Sequence, residues 1–432
     1  MAPPTHAHGA IAFVWAPVVV AAGGLVGRFP QGSKLMRSPA RRAGVVVALP
    51  PVVLTPEFFA AADPQISFDG NRILFAGQLQ RDSRWQIWEM PVVGGAVRQV
   101  TRCAGDCVKA VYLAGDQIAF TAVNAEGASG VEVSAGSGAG AHAITFGPGR
   151  FEVETALRSG RLLVSRDGVG GRALYLVDPD GSGLMLLRRD GVRGVSGGAV
   201  EMGDGAVVFV GRGAGLEWVR PGALRAAVMA RGAYASVAMM GEGLVVSRGG
   251  DLYRVELERG AREDSVYREA LVYRSGRGVS VDAVEIAAHA EALRYPSILH
   301  PERTTGRILC LDTYATEDVA SGRLAGHVAR VRVVAKEPRG ERVLGEAPVE
   351  MDGSFYAMVP ADVPIRVELV GKNGAVVKAQ RSWMWVRGGE DRGCPGCHES
   401  QALAAENRSP MALQRFDTPS VLVADKLKAV RP

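Results

Sequence analysis

Cys394, Cys397 and His398 stand in the stretch RGGEDRGCPGCHES, residues 387–400, as a C-x-x-C-H pattern. Two thiols at this spacing can add across the vinyl groups of a haem. Each S–H crosses one C=C bond and leaves a thioether, while the histidine directly after the second cysteine is placed to reach the iron. The pattern predicts one covalently attached haem c, with Cys394 and Cys397 as the thioether positions and His398 as the axial ligand and the only metal-binding side chain named. Two other chemistries use the same residue types. Zinc takes four ligands, of which this motif supplies three at most, so His300, His327 or Cys310 would have to complete the set. A dithiol redox pair needs C-x-x-C at the start of a helix in a βαβ context.

The neighbours of the motif leave its chemistry open. Trp383 and Trp385 alternate on one face of SWMWV, which suits packing on a porphyrin and equally suits a sandwich core. Arg387, Glu390 and Arg392 could neutralise haem propionates or pair with one another. Met384, Met358, His289, His300 and His327 are candidate distal ligands. A filled distal position belongs to an electron carrier and an open one to an enzyme or sensor. No catalytic side chain is singled out. Elsewhere, Cys103 and Cys107 in RCAGDCVK are close enough for a small loop disulfide, and Cys310 on an apolar strand reads as a core thiol, or as a group lying against the haem or a nearby metal.

The elements that must position these residues are strands. The chain has 432 residues, 47% of them hydrophobic and 22% charged, in the range of a folded protein large enough for more than one domain. Its 55 glycines are scattered without a triplet period, as many tight turns between short strands require. The formal charge of +5 is spread thinly, with no basic run interleaved with aromatics, so nucleic-acid binding is not expected.

Residues 10–26, AIAFVWAPVVVAAGGLV, form an uncharged apolar run ending in small residues, the pattern of a secretory signal or an uncleaved membrane anchor. A short helix packed on the protein core is the structural alternative. Residues 1–42 are therefore set apart as leader or anchor plus linker. Export agrees with the haem reading, because c-type attachment takes place outside the bacterial cytoplasm, and the protein is expected to be periplasmic or extracytoplasmic.

A turn leading into a short apolar strand recurs in SFDGNRILFAG, LAGDQIAFTA, LRSGRLLVSR, MGDGAVVFVG and MGEGLVVSRG. The turn glycines Gly70, Gly115, Gly160 and Gly205 are 45 residues apart and Gly243 comes after a further 38, the spacing of four-stranded propeller blades. Five blades are visible. Part of a sixth can be drawn from residues 271–286, with GVVVALPPVVL at 44–54 closing the ring. The fold class is thus all-β, a five- to six-bladed propeller over 43–295. A small β-sandwich with turns at Asp352-Gly353 and Asn373-Gly374 occupies 296–386, and then come the haem segment and tail over 387–432.

The stretch ADPQISFDGNRILFAG with WQIWEMPVVGGAVRQVT resembles the TolB-type, WD40-like propeller repeat. RILCLDTY, PVEMDGSF, VPADVPI, RGGEDRGCPGCHE and SPMAL, in that order, are similar to the middle domain of the hydrazine synthase alpha subunit family. This resemblance implies a propeller and then a sandwich that carries a c-type haem. The family's longer members have a further haem domain, and a tyrosine shortly after the motif also serves the haem. Here one C-x-x-C-H runs into ESQALAAENRSP, without tyrosine, so hydrazine synthesis itself is not expected. Two functions remain. One is a monohaem cytochrome-like protein for electron transfer or small-molecule redox, with an unknown redox partner and possible membership of a multi-subunit complex. The other is a propeller-based binding or scaffold protein with a structural or sensory haem or a metal site.

Overall fold

The computed structural model describes residues 9–19, 24–40, 50–168, 171–187, 195–213, 215–221, 223, 226–257, 267–294, 296–315, 328–380, 382–394 and 408–423. Contacts divide the chain into one unit of residues 1–144, 149–179 and 185–295, and a second of 145–148, 180–184 and 296–432.

Six four-stranded antiparallel sheets make the first unit a six-bladed propeller. Blade one runs outward through Ala60–Ile66, Arg72–Gln78, Gln86–Pro91 and Arg98–Gln99. The inner strands of blades two to six are Asp106–Leu113, Phe151–Ala156, Val195–Glu201, Tyr234–Met240 and Val279–Glu285. Each touches the next, and the sixth touches Ala60–Ile66, so the ring is closed. Blades bury both faces. In RILFAGQ of blade one, Leu74 and Ala76 join a core with Ile118 and Phe120 of blade two, while the alternate residues Ile73 and Phe75 join a second core with Leu35. A strand packed on both sides reads as one continuous apolar run, because neither of its alternating faces meets water.

The ring closes with a strand that the sequence reading assigned to a leader. Ile11–Ala16 pairs with Val279–Glu285 on one side and with Lys34–Ser38 on the other, and Val52–Val53 completes the sheet. Its burial corrects the expectation for Ile11–Ala16 within residues 10–26: Ile11, Ala12, Phe13 and Val14 have no exposed surface. The propeller boundary therefore lies before Ile11 and not at residue 43. Of the two segments expected to close the ring, 271–286 supplies the inner strand and 44–54 supplies Val52–Val53, with residues 44–49 outside the described set. Among the described residues no helix is long and apolar enough to cross a membrane.

The turn glycines act as expected in four blades. Gly70, Gly115, Gly160 and Gly205 have φ of +75°, +74°, +86° and +82°, the left-handed region closed to most side chains. Gly70 is also tightly packed, since a Cβ there would lie 2.7 Å from the Ala288 amide nitrogen. In the fifth hairpin the left-handed glycine is Gly241, and Gly243 begins the next strand.

All six inner strands share one irregularity. Against its neighbour each gains residues at a β-bulge: within 62–65, 108–111, 153–155, 195–199, 234–236 and 281–284. Bulges break the alternation of a strand and re-aim a side chain. Here they line the ring's centre.

The second unit is a β-sandwich. One sheet orders Asp391–Cys394, Thr305–Cys310, Phe355–Pro360 and Ser420–Val421; the other orders Gly340–Pro348, Val328–Glu337, Ile365–Gly371 and Val376–Ala379. Ile308, Val331, Val333, Phe355, Ala357 and Ile365 from both sheets share a core. The boundary expected at residue 387 does not exist as a fold boundary, because Asp391–Cys394 and Ser420–Val421 are the two edges of one sheet.

Phe13 is buried among Met240, Val245, Leu252 and Val272 at the closing strand. Phe13→Ala is expected to cost about 3–5 kcal/mol and to lower the propeller's thermal transition with little effect on a separate sandwich transition, as differential scanning calorimetry would show.

Candidate functional site

Cys394 ends an edge strand and is held there by backbone pairing. Asp391–Cys394 runs parallel to Thr305–Cys310, with Arg307 opposite Asp391 and Cys310 opposite Cys394. The Leu311 amide donates to the Cys394 carbonyl at 2.9 Å, and the Arg307 guanidinium donates to Asp391 at 2.6 Å. Paired positions in register face the same side of a sheet. Cys310 is buried in the sandwich core, and Cys394 packs half-buried against that core beside Met384. Cys397 and His398 lie outside the described residues, as does His327.

The turn that precedes this strand is braced by buried polar contacts. Trp385 is fully buried, meets the Phe146 ring edge-on at 5.9 Å between centroids, and donates its indole N–H to the Gly181 carbonyl at 2.9 Å. Arg387 lies over the same Phe146 ring at 4.9 Å, donates to the Asp180 carbonyl at 2.8 Å and pairs with Asp362 at 2.7 Å. Arg392 donates to the carbonyls of Trp385 and Leu184 and stands 3.7 Å from Glu390. Glu390 accepts the Arg387 amide at 2.7 Å. Burial pushes the Glu390 carboxyl above the usual range, against the opposing pull of Arg392 and the backbone donors.

These contacts bear on the sequence expectations. Arg387, Glu390 and Arg392 are engaged with protein partners and with one another, as the pairing alternative requires. Trp385 is core. Trp383 is flanked by the Lys336 and Arg366 cations at 5.9 and 5.3 Å, and SWMWV forms only an isolated bridge at Met384, not a strand. His300 pairs with Glu302 at 3.2 Å, and a Cβ on Gly389 would lie 2.9 Å from the His300 Cβ. His289 belongs to the propeller unit, where it packs on Phe68. Cys103 and Cys107 form a disulfide, with 6.3 Å between Cα atoms. Among the described residues no three His, Cys, Asp or Glu side chains gather as a metal site. The sequence reading missed Phe146 and Asp180, which are remote in the chain and carry no local signal, and Asp362, which lies inside the VPADVPI motif without a role assigned to it. The in-register Cys310 was legible only as an apolar-strand cysteine.

Comparisons agree with the sandwich in particular. Residues 305–399 match the family described as the hydrazine synthase alpha subunit middle domain. Hydrazine synthase subunit alpha of Kuenenia stuttgartiensis is 39% identical over 66 residues, a stretch that covers 15% of this chain and 8% of that protein. The solved structure of Kuenenia stuttgartiensis hydrazine synthase superposes with a TM-score of 0.77 at 18% identity, covering 94% of this chain and 71% of that one, and so shares its fold. TolB from Acinetobacter baumannii is similar at a TM-score of 0.48 and 14% identity, over 64% of this chain and 66% of that one.

A carboxyl whose folded value is raised contributes stability that is full below the ordinary carboxylate range and is lost as pH climbs through the raised value. Glu390→Gln is therefore expected to raise the sandwich melting temperature by a few degrees at neutral pH and to change it little near the ordinary carboxylate pKa. A melting series across pH checks the difference. Trp385→Ala should cost about 3–5 kcal/mol, read as a lowered denaturant midpoint.

Proposed function

We propose that this chain is an extracytoplasmic c-type haem protein. Cys394 and Cys397 hold a single haem through thioethers, His398 is its axial ligand, and the protein works in electron transfer or small-molecule redox. The observation that carries this reading is the position of the chain's one C-x-x-C-H. It begins at the last residue of a strand braced by Trp385, Arg387 and Arg392, inside the segment similar to the hydrazine synthase alpha middle domain. A half-buried thiol at a paired strand end, against apolar core, fits a thioether to a flat apolar macrocycle.

When bound, the haem supplies an iron that can exchange electrons or accept a small ligand. The chain's own contribution is to fix Cys394 through the strand pair with Thr305–Cys310 and to hold the approach turn rigid. The disulfide between Cys103 and Cys107 supports an oxidising compartment, and so supports export. The relative's name, a subunit, supports work within a multi-subunit assembly.

The test is expression with c-type maturation machinery, then haem staining after denaturing electrophoresis. The wild type should carry one haem per chain, and Cys394→Ser and Cys397→Ser should each weaken the covalent signal strongly. His398→Ala should leave some attachment but change the visible spectrum of the iron. A colourless wild type, or one that holds zinc in place of haem, overturns the reading. A low-spin spectrum indifferent to added small ligands would mark a carrier, and a ligand-accepting iron an enzyme or sensor.

A further inference from the structure

The propeller's centre encloses a cavity of about 1280 Å³, walled in part by the six inner-strand bulges. At the bulges of blades one, two and six the residues are Asp63, Lys109 and Asp282, with φ of +55°, +49° and +51°. Left-handed backbone at non-glycine residues costs on the order of 1–3 kcal/mol each and persists where the surroundings enforce it. Neighbouring blades do so here. The Lys109 amide donates to Asp63 at 3.2 Å, and the Asp282 amide donates to Ser236 Oγ at 2.9 Å.

Of the four charged side chains at the bulges, Asp63, Lys109, Glu154 and Asp282, three are matched. Arg28 pairs with Asp63. Lys109 lies 2.8 Å from Glu152 and 3.2 Å from Glu154, and Arg172 also pairs with Glu152. Burial alone would lower the Lys109 ammonium, but Glu154 and Glu152 outweigh it and hold the charge. The Asp282 carboxylate has no hydrogen-bond or ion-pair partner among the described residues, although it lines the cavity. Burial pushes its carboxyl upward, as do Asp63 and Glu154, while Arg28 and Lys109 oppose them from a distance. Across the ring, the bulges of blades four and five bring the small residues Gly197, Gly198 and Ala235 to the cavity, while Glu201 and Arg212 of blade four also line it.

We infer that the central cavity is a binding site for a small alkylammonium ion, whose cationic head pairs with Asp282 and whose alkyl body lies along Gly197, Gly198 and Ala235 at the bulges of blades four and five. An unpaired carboxylate in a partly desolvated cavity is costly and is relieved by a proton or by a cation. A metal ion would want several oxygen ligands converging on one point, and no group of three such side chains is present among the described residues. An anion would meet the excess carboxylate. The site is independent of the haem reading, and its residues all belong to the propeller unit.

Isothermal titration of methylammonium chloride into the full-length protein tests this. Saturable binding to one site is expected, tightening as pH rises and releasing protons near the pH at which Asp282 ionises. Asp282→Asn should weaken it roughly tenfold or more, the scale of losing one partner of a buried charge pair, with circular dichroism unchanged. Should that variant fold poorly, the wild-type pH profile decides. Absence of saturable binding, a pH-independent affinity, equal competition by potassium ions, or an unaltered affinity in a folded Asp282→Asn would each overturn the proposal.

Discussion

Backbone pairing between Ile11–Ala16 and Val279–Glu285 is the constraint on which the propeller depends. A sheet edge left open presents unpaired N–H and C=O groups, and a ring of blades removes that liability only if its last blade is completed. Here the final inner strand comes from the end of the domain and its three outer partners come from the beginning. The closing contact is long in sequence and buried in space. Phe13, Ile11 and Ala283 share one core there, so the pairing and the packing reinforce each other.

Closure also fixes what stands in the centre. Once six inner strands converge, their bulges fall around one cavity, and side chains that would alternate between blade faces are turned inward. The charged half of that ring is itself a cross-blade lattice: Asp63 binds the Lys109 amide while Lys109 reaches Glu152 and Glu154 of the next blade. Partly buried ion pairs of this kind contribute uncertain net stability. They tie blades one, two and three together across the bulges and leave Asp282 as the unmatched bulge residue.

Much of the fold was legible in the sequence, and the failures have physical causes. The 45-residue beat of left-handed glycines marked the blades because a hairpin between an inner strand and the next needs φ > 0 at that point. Ile11–Ala16, inside the run at residues 10–26, could not be recognised as a blade strand because a strand buried on both faces and a signal core have the same composition. Neither shows alternation, and local pattern cannot separate them. The charged ring went unnoticed for a related reason. Asp63, Lys109, Glu154 and Asp282 each interrupt an apolar inner strand, as in VKAVYL and FEVETA, and a charge at one equivalent place in successive repeats was the available signal. At the candidate site, the motif itself was legible because it is local. Its brace was not, because Phe146 and Asp180 reach it from more than 200 residues away.

The chain combines a closed propeller with a sandwich whose edge strand delivers Cys394 at a fixed place. The proposed haem attachment rests on Cys394 and the four residues after it, Pro395-Gly396-Cys397-His398. The most direct measurement is the mass of the peptide spanning residues 393–415 from protein matured in a c-type cytochrome host. A peptide heavier by one intact haem is expected, with fragmentation placing the addition on Cys394 and Cys397. An unmodified peptide with both thiols free for alkylation, or with the two joined as a disulfide, would contradict the haem assignment.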